Sequence, residues 1–349
     1  MLHLDGSEGE GGGQVLRTAL GLALVTGEPF RITRNRAKRS KPGLMRQHLT
    51  AVLAARAIGD ATTSGAELGS QELTFVPRTV RGGAHRFEIV GAGSTTLVLQ
   101  TVLPALLLAK EPAFLTLVGG THNPMAPPFE FLEHVFFRVL RAMGVGITVR
   151  LHRPGLHPAG GGSFEVAIEP TSALRPQSLL ARGRLQRRIA RAVLVNLPET
   201  IAHRELRVVR DELAFGAHEC TIAPSLGAVG TGNVLQVEIE HEHVSELATA
   251  FGERGKSAER VAMAAVDEIR SYLRKDAPVG EHLADQLLVP FALAGSGEFR
   301  TVSWSSHAIT NAKIVERFLP VRITATEEAG GCTRVEVGTA RSPAGAHPP

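Results

Sequence analysis

Residues 5–48 read DGSEGEGGGQVLRTALGLALVTGEPFRITRNRAKRSKPGLMRQH. A glycine cluster, Gly9, Gly11, Gly12 and Gly13, is set against two carboxylates, Glu8 and Glu10. Glycine lets a backbone take positive φ and come close to a ligand. The cluster runs into residues 14–25, where Val15, Leu16, Leu20, Leu22, Ala23 and Leu24 predict a buried helix. A glycine turn ahead of a helix leaves backbone N–H groups where an anion can sit. A short strand is predicted over residues 29–33. The loop after it carries Arg34, Arg36, Lys38, Arg39 and Lys41 before Pro42 and Gly43. A second helix follows over residues 44–58, with Arg46, Gln47 and His48 in its first turn. Two loop-to-helix junctions this close, one acidic and one basic, point to a site for phosphates and a metal.

The same rhythm of apolar helix, turn and strand returns further on. QVLRTALGLALVTGEPFRIT begins at Gln14, LVLQTVLPALLLAKEPAFLTL at Leu97 and ADQLLVPFALAGSGEFRTV at Ala284. Glu28, Glu111 and Glu298 mark the three turns. A loop and a second helix follow each strand, with loops over residues 34–43, 119–128 and 303–311. The pattern fits an α/β (α+β) fold of three repeated βαβαββ modules around a pseudo-threefold axis. Divergent loops on a repeated scaffold are a common way to build a site. Residues 184–276 break the rhythm. Strands are predicted there over 189–197, 220–223 and 234–240, and helices over 199–215, 246–251 and 257–275, as in an inserted small α/β domain. The large domain then comprises residues 1–183 and 277–338. The tail, 339–349, carries SPAGAHPP and is expected to be disordered.

Composition bounds the function. The 349 residues are 43% hydrophobic and 21% charged, enough for about two domains with ordinary cores. Aromatics make up only 5%, which argues against a stacking sheet for RNA bases. The net charge of +4 favours an anionic partner, and its clustering says more. Arg31, Arg34, Arg36, Lys38, Arg39, Lys41 and Arg46 fall within sixteen residues. A second cluster, Arg182, Arg184, Arg187, Arg188 and Arg191, reads as RNA-facing. Cys220 and Cys332 are isolated, so they form neither a metal motif nor a disulfide framework, and a reducing compartment is expected. The apolar run 97–109 is too short to span a bilayer and contains Pro104. A cytoplasmic protein without membrane association is the expectation. GEGGGQ lacks the Lys-Ser/Thr of a P-loop, and HEH at 241–243 reads as the end of a strand.

DGSEGEGGGQVLR followed by RAKRSKPGLMRQHLTA resembles the RNA 3′-terminal phosphate cyclase family. The resemblance continues through GAGSTTLVLQTVLPALLLA, GGTHNPMAPP, HPAGGG, GEHLADQLLVPFALAGSGEF and SSHAITNAKIVERFLPV, over nearly the whole chain. It implies three such modules, with a thioredoxin-like arrangement in the inserted domain. It also implies ATP as a substrate, Mg²⁺ or Mn²⁺, and RNA with a 3′-terminal phosphate as partner. The oligomeric state is left open, with a homodimer as one candidate.

Residue by residue, His307 in SWSSHAITN matches the family's nucleophilic histidine; a neutral imidazole is a competent nucleophile near pH 7. Glu10 matches a residue associated with the metal and the reacting phosphates, although a helix N-terminal acid is its plainer reading. Arg17, Arg36, Arg39 and Gln47 match positions around the phosphates and the RNA terminus, with Arg17 and Arg39 in the catalytic set. Arginine offers a planar set of donors suited to phosphate oxygens. Gln100, Pro127, Phe131, Asp285 and Gln286 match the nucleotide site, although Phe131 also reads as helix core. Where the family commonly has Tyr before LADQ, this chain has His282, which gives adenine a smaller stacking surface. The resemblance therefore implies ATP-dependent cyclisation through histidyl-AMP and RNA(3′)pp(5′)A. One alternative is a non-catalytic relative acting in ribosome assembly, a class that lacks the histidine. Another is an enolpyruvyl-type transferase, built of similar repeated modules.

Overall fold

The computed structural model describes residues 1–9 and 12–340. The first stretch runs β1 (Leu2–Asp5), α1 (Gln14–Thr26), β2 (Phe30–Thr33), α2 (Arg46–Ile58), β3 (Thr62–Ser64) and β4 (Leu73–Val76). Next come β5 (Gly83–Glu88), α3 (Thr95–Leu107), β6 (Ala113–Gly119), a π-helical turn over Phe131–Phe136, α4 (Phe137–Ala142), β7 (Gly146–Arg153) and β8 (Gly162–Glu169). After β9 (Ser178–Leu179) lie β10 (Leu185–Val195), α5 (Glu199–Leu213), β11 (Cys220–Ala223), β12 (Gly232–His241), β13 (Ser245–Phe251) and α6 (Ala258–Arg274). The chain closes with α7 (Glu281–Leu293), β14 (Gly297–Thr301), α8 (Ser306–Phe318), β15 (Val321–Glu328) and β16 (Cys332–Thr339).

The fold is mixed α/β, with four four-stranded sheets among the described residues. Three of the sheets have one order and one sense. In β1-β2-β4-β3, β5-β6-β8-β7 and β9-β14-β16-β15 the first pair is parallel and the next two pairs are antiparallel. Their helices share one core. α1 is central to it, packing on α2, α3 and α8. Val15, Leu16, Leu20, Leu22 and Leu24 are each at most 3% exposed. Gly21 lets α1 approach α3, since a Cβ there would stand 2.8 Å from the Thr101 carbonyl oxygen. Gly27, at φ 73°, ends the helix by donating its N–H to Ala23.

The fourth sheet, β11-β10-β12-β13, carries α5 and α6 and has a core of its own, built on Leu235, Val237, Val266 and Ile269. One expectation fails here. Residues 246–251 form strand β13, not a helix: the turn at 242–244 folds the chain back, and β13 pairs antiparallel with β12 from Ser245 to Phe251. The second arginine cluster, expected to face RNA, is mostly paired with carboxylates and carbonyls of the same domain. Glu238, Glu240 and Glu219 take Arg187, Arg191 and Arg188 at 2.6–3.0 Å, Glu242 faces Arg184, and Arg182 donates to the carbonyls of Tyr272, Lys275 and Ala277. Arg182, Arg188 and Arg191 are thereby engaged within the fold, whereas Arg187 stays half exposed and Arg184, 3.7 Å from Glu242, stays open to solvent. Cys220 and Cys332 are both free thiols. Among the described residues no helix is long and apolar enough to cross a membrane.

Candidate active site

Ser305 caps α8, its Oγ accepting from the Ala308 N–H at 3.3 Å, and this sets the first helical turn against the start of α1. His307 Nδ1 lies 2.8 Å from Gln14 Oε1. Gln14 Nε2 donates to Asp285 Oδ1 at 2.6 Å, so the amide oxygen is the end that faces the imidazole. Nδ1 therefore carries the proton and donates it, and in the neutral ring the lone pair resides on Nε2. Asn311 Nδ2 donates to the same carboxylate oxygen and to the Asp285 carbonyl, both at 2.9 Å, while the Thr18 hydroxyl donates to Asn311 Oδ1 at 2.8 Å. Burial pushes the Asp285 carboxyl above its ordinary value, although Gln14, Asn311, His307 and Arg17 all pull the other way. One network thus ties α1, α7 and α8 behind the histidine.

Arg17 lies three residues along α1 from Gln14, on the same face. Burial lowers its guanidinium to about 10; Asp285 resists the shift and Arg36 adds to it. It remains a cation at neutral pH. Together with Gly12, Gly13, Arg36, Arg39 and His48 it lines a cavity of about 260 Å³ that His307 also borders. The glycines leave room: a Cβ on Gly12 would stand 2.9 Å from the Arg39 guanidinium, and one on Gly13 2.4 Å from His48 Nε2. Burial, with Arg17 and Arg36 beside it, drives His48 down to about 3, so it adds no charge there. The expected phosphate residues divide by task. Arg36, at φ 56°, donates Nη1 to the carbonyls of Lys41 and Gly43 at 2.7 and 2.8 Å and so closes its own loop. Gln47 Oε1 accepts from the Ser94 N–H at 2.8 Å, tying α2 to the start of α3. Lys38 reaches across to the Gly9 carbonyl at 2.8 Å and joins the basic loop to the glycine loop.

A second cavity, of about 410 Å³, opens on the other side of His307. Gln100 Nε2 donates to Gln286 Oε1 at 2.6 Å on its floor. Pro127 and Phe131 form one wall; Phe131 is also core, 2% exposed, so both readings of it apply. His282 stands at the rim, its side chain 67% exposed and 3.8 Å from Glu268. Leu247, Thr249 and Phe251 of β13 complete the far wall, which is thus built by the fourth sheet. Gln14, Arg17, Leu97, Met125 and His307 border both cavities.

Sequence reasoning singled out neither Gln14, His48 nor β13 for the site. A glutamine opening an apolar helix reads as a terminus, and its two partners lie 293 and 271 residues away. Among the described residues no group of three or more His, Cys, Asp or Glu could hold a metal. Glu8 faces Arg317 at 3.8 Å, and Glu10, the expected metal ligand, lies outside the described residues.

Comparison with known proteins gives a concordant result. The family model described as RNA 3′-terminal phosphate cyclase matches residues 8–325. A protein of that name from Koribacter versatilis is 48% identical over 97% of this chain and 95% of its own length. Another, from Pseudomonas fluorescens, is 50% identical over 93% of this chain and 94% of its own. Among solved structures, an EPSP synthase from Acinetobacter baumannii covers 76% of this chain and 71% of its own at 12% identity, with a TM-score of 0.25, too loose a likeness to carry an argument.

Proposed function

The chain belongs to the RNA 3′-terminal phosphate cyclase family and is an enzyme of that kind, and on that premise we propose that it consumes ATP to close a 2′,3′-cyclic phosphodiester on RNA through a covalent histidyl-AMP. The observation that carries the reading is the place of His307. It borders both cavities, with its Nδ1–H engaged by Gln14 and its lone pair on Nε2.

ATP occupies the larger cavity, its base against Pro127, Phe131 and His282 and its phosphates toward Arg17. Nε2 attacks the α-phosphorus; the P–N bond forms, the bridging P–O bond to the β-phosphate breaks, and pyrophosphate leaves. Attack puts positive charge on the ring; the Nδ1–H stays on the ring and donates to Gln14 Oε1, and the Gln14 amide, held by Asp285, is a fixed, polarised acceptor that stabilises that charge. The RNA 3′-phosphate sits in the basic cavity beside Arg39 and Arg17, and one of its oxygens displaces the histidine from the adenylate. This gives RNA(3′)pp(5′)A. The adjacent 2′-OH then attacks the 3′-phosphorus, loses its proton and expels AMP. Activation is needed because an oxide is a very poor leaving group, whereas AMP leaves readily. Mg²⁺ or Mn²⁺ would supply charge neutralisation between the phosphates, held by Glu10 and phosphate oxygens, as suits an ion that commonly takes only one or two carboxylates.

For the scaffold, the shared order of three sheets supports three βαβαββ modules around a pseudo-threefold axis. Pro104 and Pro290 recur at the tenth position of the thirteen-residue helices α3 and α7, counted from Thr95 and Glu281. The separate core of residues 184–276 supports an inserted, thioredoxin-like domain.

The test is incubation with α-labelled ATP and divalent metal in the absence of RNA. Label retained on the denatured protein, acid-labile and base-stable, marks a phosphoramidate; a chelator should abolish it. Cyclisation of RNA 3′-phosphate without such an adduct would overturn the mechanism.

A further inference from the structure

A third cavity, of about 760 Å³, lies between the fourth sheet and the turn at residues 154–158. Its walls are apolar, with Leu156, Ile201, Phe251 and Val261 among them. At its inner end is Glu205, which is 0% exposed. Asn233 donates to Glu205 Oε1 at 2.6 Å, while Oε2 has no hydrogen-bond partner among the described residues. An orphaned buried carboxyl oxygen is costly and calls for a partner that the fold does not supply. Burial drives the Glu205 carboxyl up to about 7, although Asn233 and Arg204 oppose the shift. Near neutral pH Oε2 can therefore donate as the acid or accept as the carboxylate.

The rim is cationic. Arg254 and Lys256 stand with Glu253 in the turn ahead of α6, which leaves one net positive charge, and neither cation has an ion-pair partner among the described residues. That sets them apart from Arg204, which holds Glu259 through two bonds of 2.7 Å, and from the neutralised arginines of β10. Apolar walls, one hydrogen-bonding group at the inner end and cations at the mouth suit a nucleotide, base inward and phosphate outward; the volume is ordinary for such a ligand. Pro124 and Phe251 line both this cavity and the larger one beside His307, and Met125 borders the basic cavity as well. Met125 is 92% exposed and holds φ 64°, a conformation rare for a side chain of its size. The Pro124–Met125 ridge thus joins the three cavities.

We infer that this third cavity takes an upstream nucleotide of the RNA strand, its base edge on Glu205 and its phosphate on Arg254 and Lys256. The inference rests on the reading above that RNA is the substrate.

The test compares a 3′-phosphorylated mononucleotide with a 3′-phosphorylated pentanucleotide. It measures cyclisation and, independently of turnover, binding of the labelled pentanucleotide by fluorescence anisotropy. Glu205→Leu and the surface pair Arg254→Ala/Lys256→Ala should each weaken pentanucleotide binding and raise its KM about tenfold. Both should leave mononucleotide turnover and His307 labelling by ATP at wild-type levels. Glu205→Gln should keep most of the pentanucleotide preference, because an amide replaces the hydrogen-bonding edge. Unchanged pentanucleotide binding in the surface pair overturns the inference. So does a second equivalent of bound ATP that Glu205→Leu removes, since the cavity would then hold free nucleotide. Normal labelling with no cyclisation of either RNA would count against the proposed reaction instead, and the anisotropy arm would still decide the cavity.

Discussion

Three residues, at the starts of three helices, define what His307 can do. Its imidazole is presented by the Ser305 cap, and its tautomer is set by Gln14, whose amide is fixed in turn by Asp285. His307→Ala should abolish the protein–AMP adduct with no loss of fold, and His307→Asn should fail equally, because an amide nitrogen has no basic lone pair. Gln14→Ala removes the partner of Nδ1 while leaving His307, the proposed nucleophile, in place. The rate of adduct formation should fall about tenfold, in line with a hydrogen bond to a charged group, and ATP binding should change little. An unaltered labelling rate would show that Gln14 does not position the ring. Arg39→Ala should cost about tenfold on 3′-phosphate ends, read as a rise in the KM for RNA. Arg36→Ala should act differently, lowering the melting temperature, because Arg36 holds the carbonyls of its own loop. His307 and Arg39 stood out as candidates because each sits in a local motif of polar or charged residues, whereas Arg17, set in the apolar helix α1, was reached only through the family resemblance. Gln14 was not legible in the sequence, since its role exists only where chain ends meet across about 290 residues of intervening sequence.

At the scale of elements, the glycine loop and the first turn of α8 are fitted to each other. Gly9 holds φ 57°, and a Cβ there would lie 2.0 Å from Thr310 Oγ1, one helical turn along from His307. Gly9→Ala therefore meets both a left-handed backbone penalty of about 1–2 kcal/mol and a collision with α8. Adduct formation should drop at least tenfold while far-ultraviolet dichroism stays native. Full labelling activity in Gly9→Ala would show that the loop can part from α8 without harm. Apolar helices α1, α3 and α7 were readable because their lengths and patterns are decided by burial in one core. β13 was not: SELATAF carries no clean alternation, since six of its neighbours along β12 face packed surfaces on both sides, and only its pairing with β12 distinguishes strand from helix. Because β13 walls the larger cavity, misreading that element also hid part of the site.

Across the whole molecule, the fourth sheet is fastened to the rest by titratable groups, and their shifts set where the assembly is firmest. Glu130 accepts from Gln236 of β12 at 2.6 Å and pairs with His122 at 2.8 Å; burial would raise it, but these partners hold it down to about 2. Glu238 of β12, also opposed by burial, is held to about 2 by His134 and Arg191. Carboxylates depressed below 4.5 contribute stability that is present above that value and lost as pH falls toward 2. On the other side, His134 resists burial and is raised from 6.5 to about 9 by Glu133 and Glu238. Its contribution is complete below pH 6.5 and disappears as pH rises through 9. Glu246 of β13, packed against Gly280 at the start of α7, is pushed by burial and by Glu268 from 4.5 to about 8. It too favours the folded state at low pH; that advantage is complete below 4.5 and is lost as pH climbs from there through 8. Glu130, Glu238 and His134 agree on a window between pH 4.5 and 6.5, and Glu246, whose contribution falls from 4.5 upward, places the maximum toward its acid end. Thermal denaturation should give its highest midpoint there, with a decline toward pH 9 that Glu246→Gln reduces, since the amide cannot ionise. Hydrogen exchange should show the alkaline loosening first in β13 and the start of α7, where the fourth sheet meets the cavity of about 410 Å³ beside His307. A midpoint that stays level or rises between pH 6.5 and 9 would mean that these buried contacts do not govern how the two cores hold together.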